Sequence, residues 1–107
     1  MPYLVHKDAD GSTLQSWNLH SGETTVGRGE ESNAQVNDDR LSRKHFTITE
    51  NDGKFTLKDL GSRNGTRVNG QLVTEQVLKP NDQIQAGGST FAILDGLATM
   101  WGKSIKT

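Results

Sequence analysis

"FTITENDGKFTLKDL", residues 46–60, decides the fold. Phe46 and Ile48 alternate with Thr47 and Thr49, and Phe55 and Leu57 repeat the pattern after Asn51-Asp52-Gly53. A period of two is the signature of a strand with one apolar face, because successive side chains point to opposite sides of the pleat. The intervening Asn-Asp-Gly supplies a residue suited to positive φ, which a tight hairpin needs. The stretch therefore reads as a β-hairpin with Phe46, Ile48, Phe55 and Leu57 turned to the core, and with Thr47 and Thr49 on the other face.

The same reading extends outward. "YLVHKD" (3–8), "SWNLH" (16–20), "TTVGR" (24–28), "TRVNG" (66–70) and "TFAIL" (90–94) are further strand candidates. Asn69-Gly70 reads as a two-residue turn before "QLV", and Pro80-Asn81-Asp82 and Gly87-Gly88 mark two more turns. No period of 3.6 residues persists through residue 96. Many short, evenly spaced strands define an all-β sandwich or barrel. The segment "GLATMWGKSIKT" (96–107) differs: Leu97, Met100 and Trp101 would share one face of a short helix, or the segment is a frayed end covering a sheet edge. The expected organisation is one domain over residues 1–96 followed by a tail over 97–107.

Composition limits the function. The chain has 107 residues, 31% hydrophobic and 23% charged, with 12 Gly against 2 Pro, which suits one small, turn-rich core. Its formal net charge of -1 disfavours a general nucleic-acid binder, which usually carries a basic excess. There are no cysteines, so disulfides, thiolate metal sites and cysteine nucleophiles are excluded, and a reducing, cytoplasmic setting is expected. No apolar run approaches the roughly 18 residues of a membrane span, and "MPYLVHKDADG" lacks the basic-then-apolar plan of a secretory signal.

The polar residues between the strands fall into three groups. Gly27-Arg28-Gly29 ends one strand, Arg40, Ser42, Arg43, Lys44 and His45 precede "FTI", and Ser62, Arg63, Asn64, Gly65 and Thr66 follow "KDL". Loops cluster at the ends of a sandwich, so these groups can converge. Arg28, Arg43 and Arg63 with hydroxyls and an amide beside them would build an anion site. Phosphate is the natural guest: it carries about -1.5 to -2 charge and three strong acceptor oxygens, and the Arg fork pairs oxygens bidentately.

At this point the sequence resembles the forkhead-associated (FHA) domain family. The resemblance rests on "VGRG" (26–29), "LSRKHF" (41–46) and "GSRNGTRVNG" (61–70), in that order. "VLKPNDQIQAGG" (77–88) resembles a later family segment, with Asn81 where Gly is usual. Together they cover roughly residues 3–95.

The resemblance implies a β-sandwich of two twisted, mainly antiparallel sheets that binds phosphothreonine peptides through its apical loops. Arg28 would then pair with the phosphate and Ser42 would donate its hydroxyl to it. Asn64 would hydrogen-bond the ligand backbone. His45 would brace the loop holding Ser42, and Gly27, Gly65, Asn69 and Gly70 would shape turns. Arg43 stands at a variable position that often reaches the phosphate. Arg63 replaces a Thr or Ser, exchanging a short hydroxyl for a long cation. Arg40 would select an acidic residue three positions after the phosphothreonine. The threonine γ-methyl would fill a small apolar pocket, worth on the order of 1 kcal/mol.

The implied protein is a monomeric interaction module, alone or within a larger chain, with a phosphothreonine protein or peptide as partner. It would need no cofactor or metal, and neither nucleic acid nor membrane is expected. Two other readings compete. The fold could bind an unphosphorylated partner through a sheet face. Or Ser42, His45 and Asp38 or Asp39 could form a hydrolase triad, although no G-x-S-x-G elbow surrounds Ser42.

Overall fold

The computed structural model describes residues 2–19, 21–79 and 81–95. The tail expected over 97–107 and Pro80 of the expected turn lie outside the described residues. The hairpin of residues 46–60 forms as read, from strands Phe46–Asn51 and Lys54–Asp59. Asn51 pairs with Lys54, so Asp52 and Gly53 alone make the turn, at φ 55° and 80°. Positive φ at both central residues matches the right-handed twist of the flanking strands. The Gly53 N–H also donates to the Glu50 carboxylate at 2.8 Å.

In chain order the strands are β1 (Pro2–Lys7), β2 (Thr13–Asn18), β3 (Gly22–Gly27), β4 (Ala34–Gln35), β5 (Phe46–Asn51), β6 (Lys54–Asp59), β7 (Thr66–Val68), β8 (Gln71–Val73), β9 (Glu75–Val77), β10 (Ile84–Ala86) and β11 (Ser89–Asp95). They form two sheets. One is six-stranded in the order β2-β1-β11-β10-β7-β8, and the other is five-stranded in the order β4-β3-β5-β6-β9. Among the described residues the strand pairings are antiparallel except β3 with β4, where Val26 faces Ala34. β4, β9 and β10 were not anticipated, since two or three residues carry no visible alternation.

The sheets meet over Leu4, Val26, Phe46, Ile48, Leu57, Ile84 and Phe91, all buried. Phe46 of β5 meets Phe91 of β11 edge to face, with centroids 5.6 Å apart, and so bridges the two layers. Thr47 follows the alternation onto the outer face, yet it is only 2% exposed. It lies on a central strand, in register between Thr25 of β3 and Lys58 of β6, and these neighbours close over it.

The Asn69-Gly70 turn forms as expected, with φ 52° and 85°, and joins β7 to β8. The Asn69 side chain does more than turn the chain. Its Oδ1 accepts the Gln83 N–H at 3.0 Å and its Nδ2 donates to Asp82 at 2.8 Å, pinning the approach to β10.

Candidate functional site

The end of β3 fixes the site. A Cβ on Gly27 would stand 2.1 Å from the Arg43 carbonyl oxygen, so only glycine lets the 41–45 segment lie this close. Backbone bonds then lock the two segments together: Arg28 N–H to Ser42 O at 3.0 Å, Gly29 N–H to Arg43 O at 3.0 Å, and His45 N–H to Val26 O at 2.8 Å. Ser32 Oγ adds a bond to Arg43 O at 2.7 Å. Arg28 is half-buried, and its Nε donates to Leu41 O at 3.1 Å. That bond holds the guanidinium over the 41–42 connection, and its two Nη groups have no partner among the described residues.

His45 joins this first loop to the second. It is 0% exposed. Its Nδ1 accepts the Ser42 N–H at 3.0 Å, and its Nε2 faces Gly65 O at 2.8 Å. Since Nδ1 accepts, the proton sits on Nε2 and donates to the carbonyl, which fixes the tautomer of a neutral ring. Leu60 N–H to His45 O at 2.9 Å closes the junction.

Ser42 Oγ accepts the Arg63 N–H at 2.9 Å, leaving its own proton free to donate. Its hydroxyl is therefore committed to the second loop and not to an imidazole, and both imidazole nitrogens are held by backbone groups. The Asp38 carboxylate faces elsewhere, accepting Arg40 N–H, Gly88 N–H and Ser89 Oγ at 2.9, 2.8 and 2.6 Å. The nucleophile–base contact that defines a hydrolase triad is not formed.

The second loop brings Asn64 and Arg63 to the same place. Asn64 Nδ2 donates to Arg40 O at 2.8 Å, leaving its Oδ1 and second N–H outward. The Arg63 side chain is exposed and without a partner among the described residues; Lys44 is also exposed, and its charge acts on Glu31. Gly65 adopts φ 83°, and a Cβ there would stand 2.6 Å from Leu72 Cδ1, which explains glycine there. The Arg40 guanidinium turns toward the β10–β11 connection, where Nη1 would stand 3.4 Å from a Cβ on Gly88. The Arg43 side chain is already engaged: its Nε and Nη2 each bond the Glu31 carboxylate at 3.1 Å.

Sequence reading missed the residues that shape the loops. Asp59 accepts Ser62 Oγ, Thr66 Oγ1, Gly61 N–H and Ser62 N–H at 2.6, 2.7, 2.9 and 3.0 Å. Ser62 is thereby turned inward, where its Oγ accepts the Gly65 N–H at 2.9 Å. Burial would raise the pKa of Asp59, but the hydroxyl and amide donors outweigh it and hold the carboxyl below its ordinary value. Asp38 is lowered in the same way, with burial opposed by Ser89 and two backbone N–H groups. The available signal was local: an Asp two or three residues before Gly-Ser makes an Asx turn.

The result is one end of the sandwich where a free hydroxyl proton, an outward amide and the cations Arg28, Lys44 and Arg63 face solvent together. The neutral imidazole beneath them is a strut. Such a set suits a tetrahedral oxyanion. No group of metal-ligating side chains occurs among the described residues.

A two-sheet sandwich with its polar site on the loops at one end defines a class, and comparisons with known proteins name it. A sequence profile of the FHA domain matches residues 24–87. The chain is 41% identical over 75 residues to the oxoglutarate dehydrogenase inhibitor of Corynebacterium efficiens, a match covering 70% of this chain and 53% of that protein. It is 36% identical over 73 residues to the glycogen accumulation regulator GarA of Mycolicibacterium smegmatis, covering 68% of this chain and 46% of that one. The FhaA FHA domain, solved in complex with the intracellular domain of Rv3910, is similar at a TM-score of 0.78 and 31% identity, over 87% of this chain and 99% of that chain. A structure solved for phosphothreonine-dependent FHA domain interactions gives a TM-score of 0.78 at 32% identity, over 86% of this chain and 93% of that chain. The chain belongs to the FHA domain family. It spans about half the length of the inhibitor relatives it matches.

Proposed function

We propose that this chain is a phosphothreonine-dependent interaction module that binds phosphorylated segments of partner proteins and has no catalysis of its own. The observation that carries the reading is the Ser42 hydroxyl. The Arg63 N–H holds its oxygen at 2.9 Å, so its proton is left for a ligand oxygen beside Arg28. Arg28 pairs with the phosphate, Arg63 and Lys44 add long-range attraction, and Asn64 meets the ligand backbone. Arg40 selects an acid three residues after the phosphothreonine. His45, Gly27 and Gly65 hold the loops, and Asn69 and Gly70 brace the far end. A few charge-assisted bonds at about 1.5–3 kcal/mol each, less ordering costs, give roughly micromolar affinity. A similar FHA structure from an analysis of phosphothreonine-dependent FHA domain interactions supports the ligand class. The setting we propose is cytoplasmic, with the module acting as a monomer or within a longer chain.

Titration with a phosphothreonine peptide library, beside unphosphorylated and phosphoserine twins, tests this. Binding confined to phosphothreonine peptides and lost in Arg28→Ala is expected. Equal binding of the unphosphorylated twins would overturn it.

A second reading has one observation on its side. The outer face of β5 and β6 carries a groove of about 370 Å³ lined by Glu23, Thr47, Thr49, Lys54, Lys58 and Glu75 among others. Thr47 Oγ1 is buried beneath it with no hydrogen-bond partner. A phosphate-independent partner would dock there, and Thr49→Arg would block it while leaving phosphopeptide titration unchanged.

A further inference from the structure

The Arg43–Glu31 pair is left over from the site. The two side chains are exposed, yet the pairing is bidentate, through the Nε and Nη2 edge of the guanidinium. The Glu31 carboxylate is further held by its own backbone N–H and kept below its ordinary pKa by that bond, by Arg43 and, through charge alone, by Lys44. It also lies over Gly29, where an added Cβ would stand 2.5 Å from Glu31 Oε1. The backbone of Arg43 meanwhile belongs to the anion site, since its carbonyl accepts the Gly29 N–H and Ser32 Oγ, and Ser42 precedes it.

We infer that Glu31 is an internal counter-ion of the anion site. It competes with the ligand's phosphate for the bidentate edge of Arg43 and so holds the affinity of the module down. The inference rests on the site proposed above. A carboxylate and a phosphate use the same donors of a guanidinium, and the fork has one Nε–Nη2 edge. A phosphate seated on Ser42 and Arg28 gains that edge of Arg43 only by displacing Glu31. Removing the carboxylate frees the edge without touching Arg28, Ser42 or Asn64. Because the pair is exposed, its loss leaves the fold intact.

The test compares wild type, Glu31→Gln, Arg43→Ala and the double variant. Inorganic phosphate is the first probe, followed by amide shifts at Ser42 and Arg63. A phosphothreonine peptide selected by the wild type is the second. Glu31→Gln is expected to tighten binding about two- to fivefold, the range an exposed ion pair allows. The gain is expected to vanish when Arg43 is already Ala. Gly29→Ala, which pushes the carboxylate aside without removing it, should move affinity in the same direction. Unchanged or weaker binding in Glu31→Gln overturns the inference. So does a gain that persists in the double variant, because Glu31 would then act by through-space repulsion. If phosphate titrates as expected and no peptide binds, the counter-ion role stands and the phosphothreonine reading fails.

Discussion

His45 Nε2 and the Gly65 carbonyl oxygen lie 2.8 Å apart, inside the molecule, and this bond fixes the distance between the two loops that carry the site. The other ring nitrogen holds the Ser42 N–H. One imidazole thus sets where Ser42 and Asn64 stand relative to each other. His45→Ala leaves a half-buried N–H and a half-buried carbonyl unpaired and empties the buried space of the ring. We expect a loss of about 3 kcal/mol in urea unfolding and weaker phosphopeptide binding even at temperatures where the variant is folded. Unchanged stability would mean that water replaces the ring.

Arg28→Ala and Ser42→Ala separate binding from folding. Each removes an exposed or half-exposed polar group, so stability should change by about 1 kcal/mol or less. Phosphopeptide affinity should fall at least about tenfold, the equivalent of one charge-assisted bond. Calorimetric titration beside thermal unfolding reads both. If both variants bind the same peptide as tightly as wild type, the site lies elsewhere.

Gly27→Ala should behave differently. Its Cβ meets a backbone carbonyl at 2.1 Å, which has no flexible end to move aside. The cost is about 3 kcal/mol, and both loops should shift. Near-wild-type stability in denaturant would show that the 41–45 segment tolerates displacement.

Asp59 gives the acid limb of the stability curve. Its folded pKa lies below the ordinary 3.8, so the unfolded chain binds more protons. The stability it contributes is complete above pH 3.8 and is lost as pH falls below that value through the folded pKa. Asp38 has the same sign. Asp59→Asn should therefore be less stable than wild type at neutral pH and should flatten the fall in Tm below pH 4. A parallel fall in both proteins would assign the acid limb to other carboxylates.

Arg40→Ala tests ligand choice. Its carbonyl already serves Asn64, and this is preserved by alanine. The expected outcome is retained phosphate dependence with a loss of preference for Asp or Glu three residues after the phosphothreonine. A preference that survives in the library profile removes Arg40 from that role.

The sequence made the hairpin of residues 46–60 readable, because a period of two and an Asp-Gly turn are local signals. The same is true of Asn69-Gly70. β4, β9 and β10 escaped because strands of two or three residues exist only through pairing. Arg28, Ser42 and Asn64 were readable through family spacing, and the loops do bring them to one end. Asp59 and Glu31 were not, and Asp38 was read only as a triad candidate, whereas it holds Arg40 N–H, Gly88 N–H and Ser89 Oγ. An Asp beside a strand reads as a solvated end, and only the folded loops reveal the donors it collects. Arg43 was placed toward the ligand by its position, while its side chain is held by a residue twelve positions earlier.

The bonds that build the site join residues far apart in the chain: Ser42 to Arg63, Arg40 to Asn64, Asp38 to Gly88. No hairpin or local fragment contains them. The site therefore comes into existence only with the last long-range closures, which are the slow events in folding a β-sandwich. A nascent or truncated chain ending before β6 has the "LSRKHF" segment bonded to the end of β3 but lacks Arg63 and Asn64, which complete the site. Ligand binding thus reports completed folding, and a ligand added during refolding should leave the folding rate unchanged and slow only unfolding.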